Sequence, residues 1–167
     1  MKLVERFRPV QLKAPVAAAM PAKFTASLDS FLITGHRLCS YTKAGLNHDQ
    51  FEAEYLATYA ALDMVLQDWS GKEFEDALTE FNRAIQGWKL ARKLWGPPYH
   101  GKSDLDRDSR LLASMDRYAP GRVFRFPDDA NSVPVEHNLR IMLAVAAEHF
   151  TEGQRLLRAP EAKRTTR

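Results

Sequence analysis

The stretch that decides the fold is LNHDQFEAEYLATYAALDMVLQDWSGKEF, residues 46–74, because it contains two helix starts separated by one helix length. Asn47 is a good N-cap, and Gln50 follows three residues later, which is the spacing of a capping box. Ser70 and Glu73 repeat that spacing. Two consecutive starts of this kind predict two antiparallel helices joined by a very short turn.

Apolar residues beside both starts strengthen this prediction. Leu46 precedes the first cap and can contact Phe51, while Trp69 precedes the second cap and can contact Phe74. Each contact would be a hydrophobic staple, which fixes the direction in which the chain enters a helix. The Gly-Pro-Pro sequence at 96–98 predicts the end of the second helix.

Apolar residues at helical spacing also indicate helices on both sides of this pair. The first is expected over about 25–44, where Gly45 supplies a left-handed stop. A shorter one is expected after the second helix of the pair, opened by Ser103 with Asp106 three residues later, and ended by Pro120-Gly121.

The last helix is expected to begin near 133–135, with Pro134 in its first turn. Residues 122–127 alternate enough for a short extended piece, but one strand cannot make a sheet alone. Five helices and no convincing sheet predict an all-α antiparallel bundle, in which the first three helices form the core, the last packs across it and the fourth is more peripheral.

We interpret residues 24–158 as one bundle domain, preceded by an arm at 1–23 and followed by a flexible basic tail at 159–167. Three prolines recur every six residues in the arm and favour an extended, polyproline-like chain: Pro9, Pro15 and Pro21. The arm is basic, yet it carries more apolar side chains than a solvated tail does. Such an arm can lie along its own domain or along a neighbouring copy.

Composition limits the class of protein. An apolar fraction of 45% and a charged fraction of 27% in 167 residues are ordinary for a soluble globular domain. No apolar run approaches the ~20 residues that span a bilayer. The start of the sequence lacks the apolar region of a secretory signal. The single cysteine, Cys39, cannot form a disulfide within the chain, so a reducing compartment such as the cytoplasm fits best.

The net charge of +3 conceals opposite blocks. Residues 47–81 carry nine acidic and one basic side chain, whereas residues 82–126 carry ten basic and four acidic side chains. Blocks like these favour neighbouring segments that pack together, or copies that dock head to tail.

The end of the third helix contains tryptophans and basic residues on different faces. At about 100° per residue, Trp88 and Trp95 lie on one side, while Lys89 and Lys93 lie on another, so they cannot hold one ligand together. The indoles are therefore expected to pack inside. Arg92 falls in the apolar stripe, where it can reach out to water, stack on a tryptophan or meet an acidic partner.

Enzymatic and metal chemistry find little support in the residues. Paired Glu-x-x-His motifs of di-iron bundles are missing from the sequence, as are the glycine-rich loops that bind phosphates. His36 lies three residues before Cys39, but no third group that would orient this pair is evident. His149, on an apolar face, is expected to be a satisfied interior histidine. We therefore predict no metal, no cofactor and no catalytic residues.

The sequence predicts a non-enzymatic interaction module that docks on a protein partner or on copies of itself. The candidate contacts come from the arm and from the basic region around the third and fourth helices: Phe7, Arg8, Leu12, Lys89, Arg92, Lys93, Trp95, Tyr99, Lys102, Arg107, Arg110, Arg122 and Arg125. The alternative is a nucleic-acid-binding protein that uses the basic members of this set, although no DNA-reading motif is evident. A small enzyme, the third hypothesis, would require a concave pocket lined by converging polar groups.

Overall fold

The computed structural model describes residues 22–44, 47–69, 74–96, 104–106, 110–126 and 132–158. Within these ranges the chain forms five helices: α1 (Ala22–Ala44), α2 (His48–Asp68), α3 (Glu75–Trp95), α4 (Arg110–Tyr118) and α5 (Val135–Arg158). The predicted all-α bundle of five helices is confirmed. The arm up to residue 21, the tail at 159–167 and the stop at Gly45 lie outside the described residues, whereas residues 22 and 23, predicted as part of the arm, belong to α1. The predicted start of the third helix at Ser70 is too early, because α3 begins at Glu75 with Phe74 as its N-cap and without a side-chain cap hydrogen bond.

The start of α2 follows the local prediction. The side chain of Asn47 accepts a hydrogen bond from the Gln50 backbone N–H at 3.0 Å, as an N-cap does. At the other end of α2, the rings of Trp69 and Phe74 lie 5.1 Å apart, which confirms the predicted contact, and both contact the ring of Phe24 in α1. The contact is not a staple around Ser70, because Phe74 is itself the N-cap of α3.

Contacts between successive helices show that they run antiparallel. Lys23 at the start of α1 pairs with Asp68 at the end of α2, at 2.7 Å. Arg92 near the end of α3 pairs with Glu52 near the start of α2. The largest helix contact nevertheless joins α3 to α5, which are separated in the sequence by α4, and the second largest joins α1 to α2. The last helix packs on the core, as predicted, but the contact between α3 and α5 is larger than that between α2 and α3 within the expected three-helix core.

Aromatic rings fill the centre of the bundle. Phe31, Phe81 and Trp88 are fully buried, and each lies within 6 Å of the ring of Phe150 in α5. The burial of Trp88 confirms that this indole is interior. A Cβ atom at Gly35 would lie 2.3 Å from the Phe150 ring, so the absence of a side chain there lets α1 and α5 approach closely.

The buried face of α2 does not follow apolar spacing alone. Helical spacing places Tyr59 and Leu66 in one apolar stripe with Tyr55 and Leu62, yet Tyr59 and Leu66 are 51% and 39% exposed, whereas Ala61 is buried. The stripe is rotated toward Ala61 because α2 packs mainly on α1 and less on α3. None of the described helices is long and apolar enough to cross a membrane.

The predicted start of the fourth helix at Ser103 is wrong. Residues Asp104–Asp106 form a short strand, β1, which pairs antiparallel with β2 (Ser132–Pro134), and α4 begins only at Arg110. The local Ser-x-x-Asp pattern resembled a helix cap, but pairing with a segment almost thirty residues away overrides it. The predicted extended piece at 122–127 is an irregular segment over the described residues 124–126 and joins neither strand.

Candidate functional site: a cationic groove between α3 and α4

An open groove of about 400 Å³ lies between α3 and α4. Four residues of α3 at helical spacing line one side, and three residues of α4 line the other: Gln86, Lys89, Leu90, Lys93, Ser114, Arg117 and Tyr118. Leu90 is buried, while the three cationic side chains are exposed. The groove thus combines an apolar base with a cationic rim.

The packing of α4 on α3 creates this groove. Leu111, Leu112 and Met115 bury one face of α4 in the core. Because these residues face inward, Ser114, Arg117 and Tyr118 lie along the edge of α4 that borders α3. A short amphipathic helix is therefore sufficient to place an arginine beside the lysines of α3.

Tyr118 fixes how closely the two helices approach. A Cβ atom at Gly87 would lie 2.2 Å from the Tyr118 hydroxyl and 2.8 Å from the Cβ of Ala146, so only glycine leaves room here. The hydroxyl is buried against the backbone of Gly87 and forms no well-aligned hydrogen bond with a described residue. Burial raises the pKa of this hydroxyl, as do the nearby carboxylates of Glu148 and Glu80, so that it stays a neutral phenol.

The electrostatic feature of the groove is uncompensated positive charge. Lys89, Lys93 and Arg117 form no ion pair with any residue that the structure describes. No carboxylate, imidazole or thiol is among the described residues that line the groove. Like charges held close together repel one another, and an anion placed between them relieves that repulsion. The arrangement suits a negatively charged ligand.

Arg92, the cation that the sequence placed in an apolar stripe, meets an acidic partner within the chain. Its Nε and Nη2 atoms donate to the two carboxylate oxygens of Glu52 at 2.6 and 2.5 Å. The guanidinium also lies 5.4 Å from the centre of the Tyr55 ring. Of the three possibilities left open for Arg92, the acidic partner is the one found, and the aromatic contact is with a tyrosine of α2.

Two further candidate cations are paired internally. Arg122 donates to both carboxylate oxygens of Glu148 at 2.6 and 2.9 Å. Arg125 donates to Asp116 at 2.5 Å and to the carbonyl of Val123 at 3.3 Å. These guanidinium groups already have acceptors, so they are less available to an external anion than Lys89 and Lys93.

The other candidates lie apart from the groove or outside the described residues. Trp95 is partly buried and packs toward α2, with its ring 5.5 Å from that of Phe51. Arg110 is exposed at the start of α4 and does not line the groove. The remaining candidates fall outside the described ranges: Phe7, Arg8, Leu12, Tyr99, Lys102 and Arg107.

Arg117 is the groove cation that the candidate set lacked. The sequence placed it in the basic region, but nothing local separated it from Arg122 and Arg125. The only indication in the sequence was that Arg117 shares one side of a helix with Ser114 and Tyr118. This indication becomes informative only when α3 is known to pack beside that side of α4.

Histidines lie elsewhere in the bundle. His149 contacts Glu80 at 2.6 Å and packs against the ring of Tyr118, so it is satisfied, as predicted. His36 contacts Gln154, and its pKa is lowered because burial disfavours the imidazolium and Arg158 lies nearby. Among the described residues, no group of three His, Cys, Asp or Glu side chains could hold a metal ion.

The Glu52–Arg92 pair predicts an acid-sensitive component of stability. The hydrogen bond from Arg92 lowers the pKa of Glu52 below its ordinary value of 4.5. The folded state therefore binds this proton less readily than the unfolded state, so the pair stabilises the fold above pH 4.5, and that stability is lost as the pH falls through the lowered pKa.

We expect Glu52→Gln to reduce the free energy of unfolding at neutral pH and to weaken its dependence on pH in the acidic range. Urea unfolding at a series of pH values would measure both effects. Arg92→Met tests the same pair from the other side. It removes the cation that lowers the pKa of Glu52, so it should flatten the same part of the pH profile. Unchanged profiles in both variants would contradict this role.

The protein is therefore an all-α helical bundle with a cationic groove on one side. Comparisons with protein-family models, with curated proteins and with solved structures found no match to the chain.

Proposed function

We propose that this protein is a non-enzymatic helical interaction module that binds an acidic segment of a partner protein in the groove between α3 and α4. The observation that carries this proposal is the convergence of Lys89, Lys93 and Arg117 without an ion pair to any described residue. Carboxylates of a partner would supply the missing anions. The single cysteine fits a reducing compartment such as the cytoplasm for this interaction.

The groove favours a protein over nucleic acid as the ligand. Its lysines lie on one short stretch of α3, and residues 86–93 extend only about 10 Å along the helix. Arg122 and Arg125, which would lengthen a basic track, are neutralised by Glu148 and Asp116. Non-specific nucleic-acid binding gains affinity from many phosphate contacts, so a short cationic groove suits it less well.

The test compares two triple variants with the same change in net charge. Lys89→Gln, Lys93→Gln and Arg117→Gln empty the groove of cations. The matched control, Arg83→Gln, Arg140→Gln and Arg155→Gln, removes three cations that pair with acids on their own helices. A fluorescein-labelled poly-glutamate peptide is the probe, and fluorescence anisotropy measures its Kd.

We expect the groove variant to weaken peptide binding about tenfold, from roughly 0.5 kcal/mol for each of three exposed ion pairs, and the control to change it little. Equal Kd values for the two variants would contradict the proposal. A labelled single-stranded DNA that binds more tightly than the peptide, with steep log-linear salt dependence, would favour the nucleic-acid alternative. A concentration-dependent dimer that only the groove variant abolishes would identify a second copy as the ligand.

A further inference from the structure

The outward face of α2 exposes apolar side chains to an unusual extent. Leu56, Tyr59 and Met64 are 50%, 51% and 54% exposed. Alanines between them are exposed as well: Ala53, Ala57 and Ala60. Leu56, Ala60 and Met64 recur at a spacing of four, so they share one side of the helix, opposite the buried residues Phe51, Thr58 and Val65. A continuous apolar surface of this kind commonly marks a contact site.

The charge on α2 restricts what can cover this surface. The helix contains five acidic residues and neither lysine nor arginine. Cations of other helices pair with three of the acids: Glu52 with Arg92, Glu54 with Arg37, and Asp68 with Lys23. Asp63 is exposed on the outward face and forms no ion pair with a described residue. The α2 helix of a second copy would add another exposed Asp63 and no base of its own, so charge does not favour self-pairing.

Residues 1–21 of the chain have the complementary composition. They carry four basic side chains and one acidic side chain, together with large apolar residues: Leu3, Val4, Phe7, Val10, Leu12 and Val16. The cationic groove between α3 and α4 would repel such a segment, whereas the acidic, apolar face of α2 would attract it. Of the two surfaces described, only the α2 face matches this segment in both charge and apolarity.

The start of α1 places this segment beside α2. Lys23 bonds to Asp68 at 2.7 Å, and Ser27 donates to the same carboxylate at 2.6 Å. The first residues of α1 therefore lie beside the C-terminal end of α2. The 21 residues of α2 extend about 31 Å at ~1.5 Å each. About ten residues of extended chain at ~3.3 Å each span that distance, so a segment of the length of residues 1–21 can follow the whole face.

We propose that residues 1–21 lie over the outward face of α2 in the same chain. Their apolar side chains cover Leu56, Tyr59 and Met64, and their basic side chains approach Asp63. The arm is then a cover for its own domain, and the groove between α3 and α4 is left for an external ligand.

Limited trypsin digestion of the full chain tests this proposal, because trypsin cleaves after Lys13 only when the segment is accessible. Leu56→Gln with Met64→Gln removes the apolar anchors but keeps good helix formers. The matched control is Phe124→Gln with Phe126→Gln, which changes two apolar residues of similar exposure, 38% and 41%, away from α2. Mass spectrometry follows the rate of cleavage after Lys13, and circular dichroism monitors helix content.

We expect the α2 variant to be cleaved about tenfold faster after Lys13, since cleavage tracks the population in which the segment is released, and the control to match the wild-type rate. Asp63→Asn, which is too mild to unfold the helix, should accelerate cleavage about twofold through loss of one exposed charge pair. Equal rates in the wild type and both α2 variants would overturn the proposal. Protection that increases with protein concentration would overturn it too, because it would place the segment on a second copy.

Discussion

Phe150→Ala is expected to lower the free energy of unfolding by about 4 kcal/mol, the largest effect of any single substitution considered. The ring is 1% exposed and lies 5.7 Å from the rings of both Phe31 and Phe81 and 5.8 Å from that of Trp88. It also occupies the space left by Gly35 on α1. Removing the ring would leave a cavity where α1, α3 and α5 meet, and rigid neighbouring rings cannot collapse into it.

Urea unfolding followed by circular dichroism measures this loss. Phe126→Ala is the control: its ring is 41% exposed, so we expect a change within about 0.5 kcal/mol. Phe150→Leu should fall between the two, because leucine refills part of the volume. A cost for Phe150→Ala that is no larger than that for Phe126→Ala would contradict the packing of α5 against α1 and α3.

Asn138→Leu is expected to cost about 2 kcal/mol, although the substitution makes an interior residue more apolar. Asn138 is fully buried near the start of α5. Its Oδ1 accepts from the Phe124 N–H at 2.8 Å, and its Nδ2 donates to the carbonyls of Phe124 at 3.0 Å and Pro134 at 2.8 Å. Leucine would leave these backbone groups without their side-chain partner.

Two measurements check this expectation. Urea unfolding gives the overall loss of stability, and Asn82→Leu, at an exposed position on α3, is the control, for which we expect a change within about 0.5 kcal/mol. Trypsin cleavage after Arg125 reports the local effect, because Asn138 holds the irregular segment at 124–126 against α5. An Asn138→Leu variant as stable as Asn82→Leu, with unchanged cleavage, would show that these hydrogen bonds contribute nothing.

The two candidate surfaces of this bundle differ in what they can bind. The groove between α3 and α4 is cationic and shallow, and suits an anionic ligand. The outward face of α2 is apolar and acidic, and suits a basic apolar segment. The two proposals can fail independently, since one is measured by peptide affinity and the other by access of trypsin to the first residues of the chain.

Local interactions made much of the fold predictable from sequence. The cap at Asn47 involves residues three positions apart, and the contact between Trp69 and Phe74 spans five. The third helix ends at Trp95 because Pro97 disfavours the helical conformation of Gly96 before it, and Gly96 is extended. The inward position of Trp88 followed from the spacing of apolar residues, since only one side of an amphipathic helix can face the core.

Contacts between distant residues decided the rest. Arg92 was recognisable as an unusual residue in the sequence, but its partner, Glu52, lies forty residues away and becomes its neighbour only when α2 packs on α3. Asn138 lies at helical spacing from Met142 in an apolar stripe, yet only the position of Phe124 reveals its hydrogen bonds. The strand at Asp104–Asp106 exists because of pairing with Ser132–Pro134, which no helix-cap pattern could indicate.

The candidate site, too, was predictable from the sequence only in part. The sequence alone determined that residues 82–126 would be basic, because charge is a property of composition. Only the tertiary structure decided which of these charges lack an ion pair with a described residue, since Arg92, Arg122 and Arg125 find carboxylates on other elements while Lys89, Lys93 and Arg117 converge on one groove. Electrostatic compensation depends on distance in space, and the packing of α4 on α3 sets that distance.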